Sequence, residues 1–195
     1  TGQHKEMLYQ VLDLFGIKPD YDLQIMKQGQ GLSELTGRLM IKLDEIVKKE
    51  KFDYILVQGD TTSVLTGALV GFYNQVPVGH IEAGLRTGDI YSPFPEEMNR
   101  KLTGSLADFH FAPTAISKEN LLRENIDAAK IFITGNTVID ALVKTVNPAY
   151  RFSDDTLHDI LNSGGRLILV TTHRRENLGA PMRQVYQALK EVILT

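Results

Sequence analysis

Leu8, Val11, Leu12 and Phe15 fall at i, i+3, i+4 and i+7, an apolar stripe that predicts an amphipathic helix closing at Gly16. Tyr21 to Ile25 alternates as a short strand does. Beyond Gly29-Gln30-Gly31, Leu32, Leu35, Leu39, Leu43, Ile46 and Val47 return to helical spacing. Tyr54-Ile55-Leu56-Val57 is an unbroken apolar run, the pattern of a strand covered on both faces. Gly59-Asp60-Thr61-Thr62 then turns the chain into a helix reaching about Asn74. Val76, Val78, His80 and Glu82 alternate with Pro77, Gly79, Ile81 and Ala83, so His80 and Glu82 share one face of the next strand. A helix opening at Glu96 follows, then a strand at Phe109–Ala112, a helix at Ala115–Glu124, a strand at Ile131–Thr134 and a helix at Val138–Val146. After a polar connection come a helix at Asp154–Asn162, a strand at Leu167–Val170 and a last helix from Pro181.

Strands and helices alternate throughout, which argues an α/β fold with a doubly wound parallel sheet and right-handed crossovers. One strand with two flanking helices cannot enclose a core. The expected organisation is therefore a first domain over 1–135 lacking its opening strand, and the start of a second over 136–195.

Composition narrows the function. The 195 residues are 43% hydrophobic with a net charge of -3, enough apolar mass for a core and no basic field to draw nucleic acid or an anionic membrane. There is no cysteine, so no disulfide and no thiolate chemistry. Neither a signal pattern nor a run long enough to span a bilayer is present, and a soluble, cytoplasmic protein is expected. No histidines have metal-ligand spacing, no Walker sequence occurs, and Gly29-Gln30-Gly31 is too short for a dinucleotide fingerprint.

The candidate chemistry gathers where strands end, the ligand edge of open parallel sheets. Asp60 follows the Tyr54 strand and suits acid/base work, although capping the next helix explains an Asp-Thr pair there equally well. Glu82 ends its strand between Gly79 and Gly84, where burial would raise its pKa; the alternative is an ion pair with Arg86. His80 lies deeper and reads as a core histidine bonded to backbone. Glu96 and Glu97 follow Pro95 in a first helical turn, each with a base four places on, Arg100 and Lys101, which by itself accounts for both. Thr172-His173-Arg174-Arg175 leaves the last strand and presents an imidazole and two guanidiniums, a phosphate-binding combination.

Gln58-Gly59-Asp60-Thr61-Thr62, His80-Ile81-Glu82-Ala83-Gly84-Leu85-Arg86, Phe94-Pro95-Glu96-Glu97-Met98-Asn99-Arg100, Gly135-Asn136-Thr137-Val138-Ile139-Asp140 and His173-Arg174-Arg175-Glu176-Asn177 stand in one order along the chain. Together they resemble the non-hydrolysing UDP-N-acetylglucosamine 2-epimerases, over the whole chain. The resemblance implies two Rossmann-like domains in the GT-B arrangement, a homodimer, a UDP-sugar substrate, and neither metal nor nicotinamide. It implies interconversion of UDP-N-acetylglucosamine and UDP-N-acetylmannosamine through 2-acetamidoglucal, in the service of cell-envelope polysaccharide. Asp60, Glu82 and Glu96 are then the acid/base carboxylates, and His173 and Arg174 face the diphosphate. Gln3, His4, Arg86 and Arg100 become possible substrate or effector contacts. In some bacterial members an activating second UDP-N-acetylglucosamine binds near Gln3, His4 and Arg174; Gly29 stands where those members carry an arginine. The competing readings are a hydrolysing epimerase, a GT-B glycosyltransferase and a non-catalytic sugar-nucleotide-binding module.

Overall fold

The computed structural model describes residues 5–27, 29–172 and 179–194. Its elements in chain order are α1 (Lys5–Leu14), α2 (Leu32–Glu50), β1 (Ile55–Gln58), α3 (Thr62–Tyr73), β2 (Val78–Ile81), α4 (Glu96–Leu106), β3 (Phe109–Ala112), α5 (Ala115–Arg123), β4 (Ile131–Ile133), α6 (Thr137–Thr145), α7 (Asp155–Asn162) and α8 (Ala180–Leu194). The chain divides into two compact units, 1–146 and 147–195, and α6 belongs with the first.

In the first unit the strands form one sheet in the order β1-β2-β3-β4, every pair parallel. The register sets Val57 beside His80 and His80 beside His110. Parallel neighbours need a crossover, and α3, α4 and α5 supply one each. Side chains of alternate residues leave opposite faces. One face carries Val57, Val78, His80, His110 and Ala112, all buried. Val57 and Val78 pack with Val64 and Ala68 of α3, while Ala112 and Ile131 pack with Leu121 of α5 and with Ala83. The other face shows Tyr54, Leu56, Phe109, Phe111 and Phe132 around an open apolar trough floored by Gly79. A Cβ on Gly79 would lie 2.7 Å from a Leu56 methyl, so glycine is what allows Leu56 and Phe111 to close over β2.

Two expected strands do not form. Tyr21–Ile25 has no ladder partner; Ile25 instead packs on Leu35 and Leu39 of α2, with Leu23 and Met26 beside them, so its apolar residues cover a helix. Leu167–Val170 is also outside any sheet, with Leu169 87% exposed. A strand is stabilised by its neighbour's hydrogen bonds, and neither segment makes ladder bonds among the described residues. In the second unit, α7 is capped by Asp154, whose Oδ1 accepts from the Thr156 amide at 2.8 Å.

Candidate active site

Because all the strands run one way, their carboxyl ends share an edge. Asp60 lies two residues beyond β1 and Glu82 one residue beyond β2; Glu96 opens α4, whose N-terminus lies on that edge because the helix runs back to begin β3. The Gly135-Asn136-Thr137 segment after β4 reaches the same edge, where Gln58 Nε2 donates to Thr137 Oγ1 at 3.0 Å and Asn136 caps α6.

Asp60 is held from three directions. Arg100 Nη2 donates to its Oδ2 at 2.6 Å, Asn99 Nδ2 to its backbone carbonyl at 2.9 Å, and the His80 ring Nε2 meets the preceding Gly59 carbonyl at 2.7 Å. The capping explanation is not what forms: Thr61 takes the N-cap position of α3 without a side-chain cap bond, and the Asp60 carboxylate is spent on Arg100. His80 is fully buried and bonded to backbone, as a core histidine should be. Burial holds its pKa below the ordinary imidazole value, so it stays neutral and donates.

Glu82 is different. Its pairing with Arg86 does not occur, because Arg86 grips Glu124 at the end of α5 with Nε at 2.8 Å and Nη2 at 2.6 Å, and gives Nη1 to Leu85 O. That grip lowers the Glu124 pKa and occupies Arg86 as a clamp between the β2 loop and α5. The Glu82 carboxyl has no hydrogen-bond or ion-pair partner among the described residues, and burial followed by the Asp60 charge pushes its pKa up, with Arg100 pulling the other way. Its backbone is left-handed, φ 68°. Gly84, two residues on, has φ 86°, and a Cβ there would lie 2.2 Å from Ser117 O; this tight seat on α5 aims the turn that carries Glu82.

Glu96 is partly exposed at the first position of α4, one turn before Arg100. Glu97, explained in sequence terms as a dipole-complementing surface acid, is fully buried. Asn99 and Arg100 are nearly so, and with Thr103 and Gly104 they make α4's inner face polar. The sequence pointed the other way: Met98, Leu102 and Leu106 fall at i, i+4 and i+8, an apolar line that would be read as the inner face, yet Leu102 is exposed while Glu97, Asn99 and Arg100 are buried. Gln3, His4, His173 and Arg174 lie outside the described residues. Among the described residues no cluster of acidic or histidine side chains has the geometry to hold a metal ion, and no helix is long and apolar enough to cross a membrane.

A partly desolvated carboxyl beside a second, ionised-pair carboxylate, with a third at a helix start, is an arrangement for moving protons. The family model described as UDP-N-acetylglucosamine 2-epimerase matches residues 1–194. The chain belongs to this family. The UDP-N-acetylglucosamine 2-epimerase of Bacillus subtilis is 53% identical over 195 residues, covering 99% of this chain and 50% of its own length. That of Escherichia coli K12 is 51% identical over 201 residues, 100% of this chain and 53% of its own. The chain thus spans about half the length of the curated epimerases it matches. Among solved structures, the Neisseria meningitidis UDP-GlcNAc 2-epimerase bound to UDP-GlcNAc superposes with a TM-score of 0.88 at 46% identity, over 97% of this chain and 52% of that one. The Methanocaldococcus jannaschii epimerase in complex with UDP-GlcNAc and UDP gives 0.74 at 35% identity, over 94% and 51%. The α/β fold with its parallel sheet is accordingly that of the GT-B-like epimerases.

Proposed function

We propose that this chain provides the proton-transfer half of an enzyme interconverting UDP-N-acetylglucosamine and UDP-N-acetylmannosamine without net hydrolysis. The observation that carries the reading is the Glu82 carboxyl, left without a partner and with a raised pKa, beside an Asp60 fixed by Arg100. Epimerisation at C2 requires exchange of a weakly acidic C–H. A base takes the C2 proton, the electron pair forms the C1=C2 bond of 2-acetamidoglucal, and the C1–O bond breaks with its electrons leaving on UDP. UDP then returns to C1 while a proton is delivered to the other face of C2. Asp60, Glu82 and Glu96 share the proton steps, and His173 and Arg174 donate to the diphosphate as its charge develops. Family membership and relatives solved with UDP-GlcNAc and UDP support the substrate class. We extend the reading to a cytoplasmic homodimer that supplies UDP-N-acetylmannosamine to cell-envelope polysaccharide, with the two compact units belonging to separate Rossmann-like domains, the boundary falling after α6 rather than at 135.

The test is NMR of UDP-N-acetylglucosamine in deuterium oxide, with the chain completed to the length of its relatives by the remainder of the Bacillus subtilis enzyme. The reading requires deuterium at C2 and UDP-linked N-acetylmannosamine. Free N-acetylmannosamine with UDP would establish the hydrolysing reaction instead, and binding without C2 exchange would leave a sugar-nucleotide-binding module.

A further inference from the structure

Glu97 is fully buried, yet no step above uses it. Its Oε2 accepts from the Thr87 amide at 3.1 Å and its Oε1 from the Gly88 amide at 3.2 Å. Oε2 also lies 3.5 Å from Arg100 Nη1, while the other guanidinium nitrogen of Arg100 holds Asp60 at 2.6 Å. Thr87 and Gly88 form the base of the arm that leads from Glu82 to Glu96. The arm is braced further out by Thr87 Oγ1 on Ser92 O at 2.6 Å, the Tyr91 amide on Asp89 Oδ1 at 2.9 Å and the Ser92 amide on Asp89 O at 3.0 Å. One carboxylate therefore touches the arm and, through Arg100, reaches Asp60.

Packing alone does not explain this choice. A buried ion pair rarely stabilises more than an apolar filling of the same volume, because both charges lose their hydration. What it does supply is direction, since a carboxylate with two amides and a guanidinium fixed on it leaves none of them free to turn. We propose that Glu97 is a positioning residue: it holds Arg100 against Asp60 and pins the Thr87–Gly88 base of the arm, so that Asp60, Glu82 and Glu96 keep their relative places. The purpose of that placement rests on the epimerase reading; the coupling itself does not.

The coupling is read on the chain as it stands, by following the Glu82 carboxyl carbon through a pH titration in the parent, Glu97→Gln, Arg100→Gln and the double variant. Arg100 favours the ionised form of Glu82. In Glu97→Gln, Glu82 is expected to titrate at higher pH than in the parent, and the Thr87 and Gly88 amides to exchange with solvent about tenfold faster or more. The double variant is expected to displace Glu82 no further than Arg100→Gln does, because both changes act through one guanidinium. An unmoved Glu82 in Glu97→Gln, or displacements that simply add, would overturn the proposal and leave Glu97 as packing. If Glu97→Gln does not fold, Glu97→Asp keeps the charge one methylene short; it should move Glu82 in the same direction by less, and no movement overturns the proposal equally. Failure of C2 exchange in the completed enzyme would sink the epimerase reading while the titration result stood.

Discussion

Glu82 sits at φ 68°, a conformation that costs a non-glycine residue on the order of 1 kcal/mol, and its carboxyl is half-buried without a partner among the described residues. Such a residue works against the fold. Its folded pKa lies above the unfolded value, so the folded state binds more protons through the window that starts near 4.5, and stability declines as pH rises through it. Glu82→Gln, which cannot ionise, should therefore unfold at higher denaturant than the parent at pH 7. The advantage should vanish below about pH 4.5, where the parent is protonated in both states. Urea titrations at the two pH values check it, and equal midpoints at pH 7 would show that Glu82 carries no penalty. Gly84 gives the opposite result. Gly84→Ala puts a Cβ 2.2 Å from Ser117 O at φ 86°, and a loss of about 3 kcal/mol or more is expected by the same measurement.

At the scale of elements, the pair β2–β3 is held by apolar packing around two histidines in register, His80 and His110, both fully buried. Neither ring nitrogen of His110 makes a well-formed hydrogen bond among the described residues; burial, with the neighbouring His80 adding to it and the Ala107 backbone working against it, lowers its pKa to about 4. A histidine with a depressed folded pKa contributes full stability above its unfolded value near 6.5, and that stability drains away as pH falls from there towards 4. His110→Leu removes the titration while roughly keeping the volume. Relative to the parent, its stability should improve by about 2 kcal/mol between pH 7 and pH 5. A difference that does not change with pH would mean that His110 is solvated or paired. α5 shows the complementary economy, with Thr114 accepting from the Ser117 amide at 3.2 Å to start the helix against which Gly84 is seated.

For the whole molecule, the chain spans about half the length of its relatives, and the residues proposed to stabilise the leaving diphosphate, His173 and Arg174, belong to the second of its two compact units while Asp60, Glu82 and Glu96 belong to the first. Misplacing a base by about 1 Å costs on the order of a hundredfold in rate. The 195-residue chain alone should therefore exchange the C2 proton at least about a hundredfold more slowly than the completed enzyme, as NMR in deuterium oxide will measure; equal rates would show that the first unit holds substrate unaided. EDTA should leave the completed enzyme's turnover unchanged, since the proposed steps use side chains alone. Inhibition reversed by zinc or magnesium would refute that.

Much of the arrangement was legible in residue order. Period-2 and period-3.6 patterns located β1 to β4 and the helices between them, because each element buries one face and its spacing records which. Parallel strands then put Asp60, Glu82 and the start of α4 on one edge as a matter of topology. What tertiary structure decided was partnership. Tyr21–Ile25 and Leu167–Val170 have strand-like sequences but no strand, since a strand depends on an edge supplied from elsewhere. Spacing offered Arg86 to Glu82, and the packing of α5 gives it Glu124 instead. Glu97 and Lys101 have the i, i+4 spacing of a surface pair, yet α4 turns Glu97 inward onto Thr87, Gly88 and Arg100. Charge patterns along a chain list possible pairs; which pairs form depends on the few ångströms set by how helices seat on a sheet, and that distance is not written locally.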